Sequence, residues 1–208
     1  MRIAVIVAHP DDETLWCGGR MLLAPEHEWL VMTLCRASDA DRSAKFHRAC
    51  VALGATGIMA DMDDEPAQIP LDLEQAKNTI VEMLPRRAFD SIYTHGPLGE
   101  YTYHRRHGEC CRAVASLCVD GRLAASQINL FAYTDRNRST LPVVAPDANE
   151  RDVLPSKLFK QKLHIIEGIY GYSRDSWEAR TTPAEEGYYV YRDIAKLRQF
   201  VDAQKPIL

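Results

Sequence analysis

The sequence predicts an α/β fold: a mainly parallel sheet with helices on both faces, plus a C-terminal extension. Three observations carry that expectation. Short apolar runs rich in β-branched residues recur along the first two-thirds of the chain. Stretches of helical length and pattern separate them. The runs are apolar at successive positions instead of alternating, as strands covered on both faces require.

Arg2–Ala8 reads as the first buried strand, ended by the turn signal at His9-Pro10-Asp11-Asp12. Asp12–Ala24 suits a helix, with acidic residues in its first turn and Pro25 just beyond it. Trp29–Cys35 is a second strand, Ser43–Leu53 a helix stopped by Gly54, and Thr56–Ala60 a short third strand. Leu71–Leu84 is a helix bracketed by Pro70 and Pro85. Phe89–Thr94 forms the fourth strand, His104–Val119 a helix closed by Gly121, and Ile128–Thr134 the fifth strand. This alternation is Rossmann-like. After Asp135 the rhythm breaks. Leu141–Pro155 reads as a proline-rich loop, and Ser156–Tyr170 as a basic helix whose Lys157, Lys160 and Lys162 form a solvated face. Gly187–Arg192 is a last strand. No linker or repeat divides the chain, so one domain over residues 1–208 is expected.

Composition narrows the function classes. The 25 basic and 29 acidic side chains leave a net charge of −4, without the basic footprint of a nucleic-acid binder. No run of about 18 apolar residues is present, so no membrane span is expected, and the N-terminus lacks a signal-peptide pattern. Six scattered cysteines without a CxxC pair read as free, mostly buried thiols in a reducing cytoplasm. The first strand–helix turn is not glycine-rich, so a dinucleotide fingerprint is absent.

Ligands of open α/β sheets bind outside the carboxyl ends of the strands. The first strand end delivers His9, Asp11, Asp12 and Glu13; the second delivers Arg36, Asp39 and Arg42. The fourth delivers His95, Glu100, Tyr101, Tyr103, His104 and His107, and the fifth Asp135. Four of the seven histidines thus leave the sheet at one edge. His9 and Asp12 can chelate from one tight turn, and His104 and His107 project from one helix face. Two strand ends therefore offer a His/Asp pair and a His/His pair to a single divalent ion. Asp11 is left over to act as a base. Glu13 reads as a helix-start charge or a partner of a metal-bound histidine. Gly18-Gly19 reads as a site of close helix–sheet packing. Five of the nine tyrosines fall between Tyr170 and Tyr191, suiting either a substrate wall or a lid or subunit contact, and a homo-oligomer is compatible with the latter.

Ala8-His9-Pro10-Asp11-Asp12-Glu13, followed by Cys17-Gly18-Gly19, resembles the N-terminal signature of the LmbE/PIG-L zinc-dependent de-N-acetylases. The stretch from Thr94-His95-Gly96-Pro97 through His104-Arg105-Arg106-His107 is similar to that family's second signature. The resemblance covers roughly the first two-thirds of the chain. It implies a Zn2+ site of His9, Asp12 and His107, a general base at Asp11, and His104 as oxyanion stabiliser or proton donor. It further implies sugar contact through Arg42. His95, Tyr101, Tyr103 and Asp135, delivered by the fourth and fifth strand ends, are the other expected substrate-binding residues. The same donors also suit Fe2+, Co2+ or manganese. The implied reaction is removal of an N-acetyl group from an N-acylated amino sugar or glycoconjugate. Alternative readings are an amidase for a thiol-sugar conjugate or a secondary-metabolite N-acyl group, and a non-catalytic sugar- or nucleotide-binding module. The chain departs from the pattern at Arg106, where some members carry a carboxylate that orients the first histidine. Asp135 is the expected substitute.

Overall fold

The computed structural model describes residues 1–101 and 104–203. Tyr103, expected in the substrate-binding set, lies outside the described residues. Strand β1 (Arg2–Val7) shows why the sheet needs two covers. Ile3, Val5 and Val7 enter one apolar cluster, while Ala4, Ile6 and the following Ala8 enter the other. Helices α1 (Asp12–Leu23) and α2 (Ala40–Ala52) close the first cluster with Leu15, Trp16, Phe46 and Ala49. Helices α3 (Leu73–Met83) and α4 (Arg105–Val119) close the second with Ile80, Val114 and Leu117.

Strand β1 pairs in parallel with both β2 (Glu28–Cys35) and β4 (Ala88–Thr94). Outside these, β3 (Ala55–Met62) joins β2 and β5 (Ala124–Phe131) joins β4, again in parallel. The chain therefore winds one way from β1 and the other way from β4. The gap between their carboxyl ends is the switch point of the sheet.

The extension is more ordered than its sequence suggests. Two short strands, β6 (Tyr133–Thr134) and β7 (Val143–Val144), pair with each other, so the fifth strand breaks after Phe131 instead of running to Thr134. The proline-rich segment holds β8 (Glu150–Val153). Helix α5 (Ser156–His164) passes directly into a π-helical turn, Ile165–Tyr170. After α6 (Trp177–Thr181) comes β9 (Glu185–Tyr191), and α7 (Ile194–Ala203) follows. Strand β9 lies antiparallel to β5, and β8 antiparallel to β9, giving the order β3-β2-β1-β4-β5-β9-β8. Periodicity alone misses β8, which is only four residues long, and α6, which is five.

Two local differences have clear causes. Helix α2 starts at Ala40, not Ser43, because the Asp39 carboxylate caps it by accepting the Arg42 N–H at 3.0 Å. Lys162 does not belong to a solvated face. Lys157 and Lys160 are exposed, but Lys162 is fully buried, donating to Glu186 Oε1 at 2.7 Å and to the Pro183 carbonyl at 3.1 Å. Glu186 on β9 also accepts the Gly19 and Arg20 backbone N–H groups and the Tyr188 hydroxyl. Gly19 permits this approach: a Cβ there would lie 2.5 Å from Leu154 and 2.8 Å from Glu186. Gly19 thus serves close packing, whereas a Cβ at Gly18 would make only ordinary contacts at 3.5–3.6 Å. All six cysteines are buried and free. Among the described residues no helix is long and apolar enough to cross a membrane.

Candidate metal centre and active site

The β1 end turns sharply at Asp11, whose φ of 108° is rare for a residue with a side chain. Glu13 holds that turn by accepting the Asp11 N–H at 3.0 Å, while the Asp11 carbonyl accepts from Thr14 and Leu15 to start α1. Glu13 therefore props the turn and, among the described residues, bonds no histidine. The turn sends Asp11 and Asp12 in different directions, and that separates their chemistry.

Asp12 meets the histidines. Its Oδ2 lies 3.2 Å from His9 Nδ1 and 3.4 Å from His107 Nε2. Donors ~2.0–2.2 Å from a tetrahedral ion stand about 3.3 Å apart, which is the spacing of Asp12 Oδ2 from each of these two ring nitrogens. A carboxylate behind each ring fixes which nitrogen faces inward. His9 Nε2 lies 3.1 Å from Asp64 Oδ1, and His107 Nδ1 lies 2.6 Å from Glu100 Oε2. Each outer nitrogen is the donor, leaving His9 Nδ1 and His107 Nε2 free to bind metal. Burial opposes ionisation of Asp12, but His107 and His95 beside it hold its carboxyl well below the usual carboxylate range. Donor atoms of His9, His104 and His107 lie within 4.8 Å of one another, as do those of Asp12, His95 and His107.

Not every expected residue reaches the cavity. His95 is fully buried beneath it, with Nε2 accepting the Ala8 N–H at 2.9 Å and Nδ1 on Glu100 at 3.1 Å. Both nitrogens are committed, so His95 shapes the floor and is not a substrate contact. Asp135, the expected orienter of His104, faces a neighbouring hollow lined by Leu98, Gly99, Tyr101 and Arg138, whose described lining does not include His104. His104 Nδ1 is instead buried with no hydrogen-bond partner among the described residues. Arg106, at the position of the expected carboxylate, is buried and ties down the segment after β3. It binds the Asp63 carbonyl and carboxylate, the Ile69 carbonyl and Glu109.

The remaining expected residues line one cavity of about 740 Å3. His9, Asp11, Asp12, Arg42, Tyr101, His104 and His107 all face it. Arg42 Nη1 donates to Asp11 Oδ2 at 3.1 Å and to the Tyr172 oxygen at 2.6 Å, and Tyr172 donates on to Asp11 Oδ2. Burial and the neighbouring Asp12 charge push the Asp11 carboxyl up to about 6. Burial, with His107 and His9 alongside, pushes His104 down to about 3, so its ring is neutral at ordinary pH. The C-terminal aromatics divide between two tasks. Tyr170 and Tyr188 join the core, while Tyr172 and Trp177 line the cavity, Trp177 lying 4.5 Å from Tyr101 between ring centroids.

Sequence reasoning assigns no specific role to Asp64, Arg36 or Tyr172. Asp64 carries a usable signal, because it falls in the acidic run Asp61–Glu65 at a strand's carboxyl end. Arg36 binds Asp64 through two nitrogens at 2.7 and 2.9 Å, and its own φ is 74°. Nothing local to Tyr172 indicates that it would cross the fold to Asp11.

The family model described as PIG-L, GlcNAc-PI de-N-acetylase, matches residues 4–118. No curated protein matches the chain. Among solved structures, the chain is similar to N,N'-diacetylchitobiose deacetylase from Pyrococcus horikoshii, at 18% identity and a TM-score of 0.64, over 92% of this chain and 84% of that one. It is similar to a conserved protein from Thermus thermophilus at 15% identity and a TM-score of 0.66, over 89% and 92%. A third likeness, at 17% identity and a TM-score of 0.60 over 87% and 83%, is to GalB, a 4-carboxy-2-hydroxymuconate hydratase from Pseudomonas putida. At these identities the likeness concerns the fold, and the three structures span more than one kind of reaction.

Proposed function

The chain belongs to the PIG-L family of GlcNAc-PI de-N-acetylases, and from that premise we propose that it is a metal-dependent N-deacetylase acting on an N-acylated amino sugar or glycoconjugate. One observation carries the proposal. His9 Nδ1 and His107 Nε2 converge on a single Asp12 oxygen, with Asp11 beside them in the same cavity. His9, Asp12 and His107 would hold the ion, Zn2+ first, with Fe2+ or Co2+ compatible with the same donors. Such an ion acidifies water and polarises an amide carbonyl when bound.

The chain's own groups do the rest. Asp11, which lines the cavity beside these donors, takes a proton from the attacking water and can return it. His104, held neutral, can donate a ring N–H to the carbonyl oxygen as negative charge gathers there. The water oxygen ends on the acyl carbon, which departs as acetate. The C–N bond breaks, and the sugar nitrogen gains the proton held by Asp11 and leaves as a free amine. Arg42 engages Asp11 and Tyr172 through Nη1, and its Nε and Nη2 make no hydrogen bond to the described residues, leaving them for substrate oxygens. Tyr101 and Trp177 offer an aromatic wall for a sugar face.

The test is an amine-release assay with zinc-loaded protein across a panel of N-acetylglucosamine derivatives. Release of one free amine per acetate is expected. Zinc-bound protein that releases no amine from any acetamido sugar would overturn the sugar assignment.

A further inference from the structure

We propose that Tyr172 is a positioning residue for the base: its hydroxyl, together with Arg42, sets the rotation of the Asp11 carboxylate so that Oδ1 faces the scissile amide. The assignment rests on the deacetylase reading of the site and concerns a part of the chain outside both sequence signatures.

The backbone at Asp11 already fixes where its Cβ points. A φ of 108°, the Glu13 bond to its N–H, and two helix-starting bonds to its carbonyl leave the backbone little freedom. Side-chain rotation remains open, and a general base works only when the right oxygen faces the water it deprotonates. Oδ2 receives both Arg42 Nη1 and the Tyr172 hydroxyl. Oδ1 takes no hydrogen bond from the described residues, and Asp11 lines the cavity. The Arg42 side chain is long and about one-third exposed (36%), a flexible anchor when alone. Tyr172 adds a rigid ring whose position is set by the main chain.

That main chain is unusual. The segment before Tyr172 is the π-helical turn Ile165–Tyr170, ended by Gly171 in the left-handed region at φ 83°. Tyr172 N–H then bonds back to the Ile166 carbonyl at 3.2 Å. In a continuing α-helix, residues two apart point to nearly opposite sides. Here the wide turn and Gly171 aim Tyr170 and Tyr172 at the same target. Tyr170 donates to Glu13 Oε1 at 2.7 Å, and Tyr172 donates to Asp11 Oδ2. Two tyrosines two residues apart thus grip two carboxylates two residues apart, one propping the Asp11 backbone and one turning its side chain. π-Helical geometry is rare and is found frequently at functional sites.

Tyr172→Phe removes the hydroxyl and keeps the ring. We expect kcat to fall about 10- to 100-fold, since small misplacement of a reacting group has effects of that order. KM should stay within about twofold, with bound zinc and melting temperature unchanged, because the cavity wall is intact. Gly171→Ala, strained at its left-handed φ, should lower kcat in the same way with Tyr172 still present. Crystals of wild type and Tyr172→Phe supply a readout independent of turnover: the Asp11 carboxylate should rotate away from its wild-type orientation. A wild-type kcat in Tyr172→Phe, or a rise in KM at constant kcat, would overturn the proposal and make Tyr172 a wall residue. If zinc-loaded wild type releases no amine, the deacetylase reading falls. The carboxylate orientation in the two crystals then decides the positioning role alone, an unchanged Asp11 overturning it.

Discussion

Helix α1 touches two buried charge clusters, and they are built on opposite principles. Halfway along it, Glu186 and Lys162 are both fully buried, and the carboxylate accepts four hydrogen bonds, two on each oxygen. At its start, Asp11, Asp12 and the histidines share a cavity. There one ring nitrogen is buried without a partner among the described residues, and one residue stands at φ 108°. Burial costs a charge several kcal/mol unless it is fully paired. The Lys162 cluster meets that requirement from within the chain, by the ion pair and the four bonds to the carboxylate. The Asp12 cluster does not, and its open donors are what a divalent ion and a substrate carbonyl would complete. The contrast shows that burial of charge by itself does not mark a functional site. Incomplete satisfaction beside open space is what distinguishes the candidate site.

The largest expected effect lies in the open cluster. Asp11→Asn should cut amine release about 10²–10⁴-fold. Zinc should stay bound and the melting temperature should hold or rise, since burial already disfavours the charged form. An active Asp11→Asn protein would break the comparison. In the closed cluster the effect should fall on stability. Lys162→Met strands the Glu186 carboxylate, at a cost of about 3–5 kcal/mol in urea unfolding. Amine release per folded molecule should be unchanged.

Glu13 sharpens the boundary between the two clusters, because it is fully buried and hydrogen-bonded yet holds the turn that carries Asp11. Burial pushes its carboxyl up from 4.5 to about 7. A raised folded-state value means that the associated stability is present in full below about pH 4.5. It is lost as pH rises through about 7, up to ~3 kcal/mol for a shift of this size. Urea unfolding of metal-free protein across that range should show the loss. Glu13→Gln, neutral throughout, should lack that component. Equal slopes in the two proteins would contradict it.

Much of the candidate site is legible in the sequence because the residues proposed as its ligands come in two local groups. His9 to Asp12 and His104 to His107 each span a single turn, and strand alternation with helices places both at one sheet edge. Asp64 and Glu100 are harder to read, since an orienting carboxylate needs only to reach the outer nitrogen and can come from any loop. Lys162 misleads for a related reason. A lysine on a basic helix looks solvated until a buried partner, here 24 residues away on an antiparallel strand, is known. Asp135 is expected at the site from its strand-end position, but β5 breaks before it and directs it into another hollow.

The parallel α/β core, the switch point between β1 and β4 and the residue types of the candidate metal centre are all written locally. They follow from apolar periodicity and from contacts within single turns, which residue spacing encodes. Three features instead await the packed molecule. These are the carboxylate that backs each histidine, the place of His95 in the floor, and the reach of Tyr172 to Asp11 across 161 positions. The last depends on where the chain returns after β8, α5 and the π-turn. No local pattern specifies that return, because it is set by how the extension packs against α1.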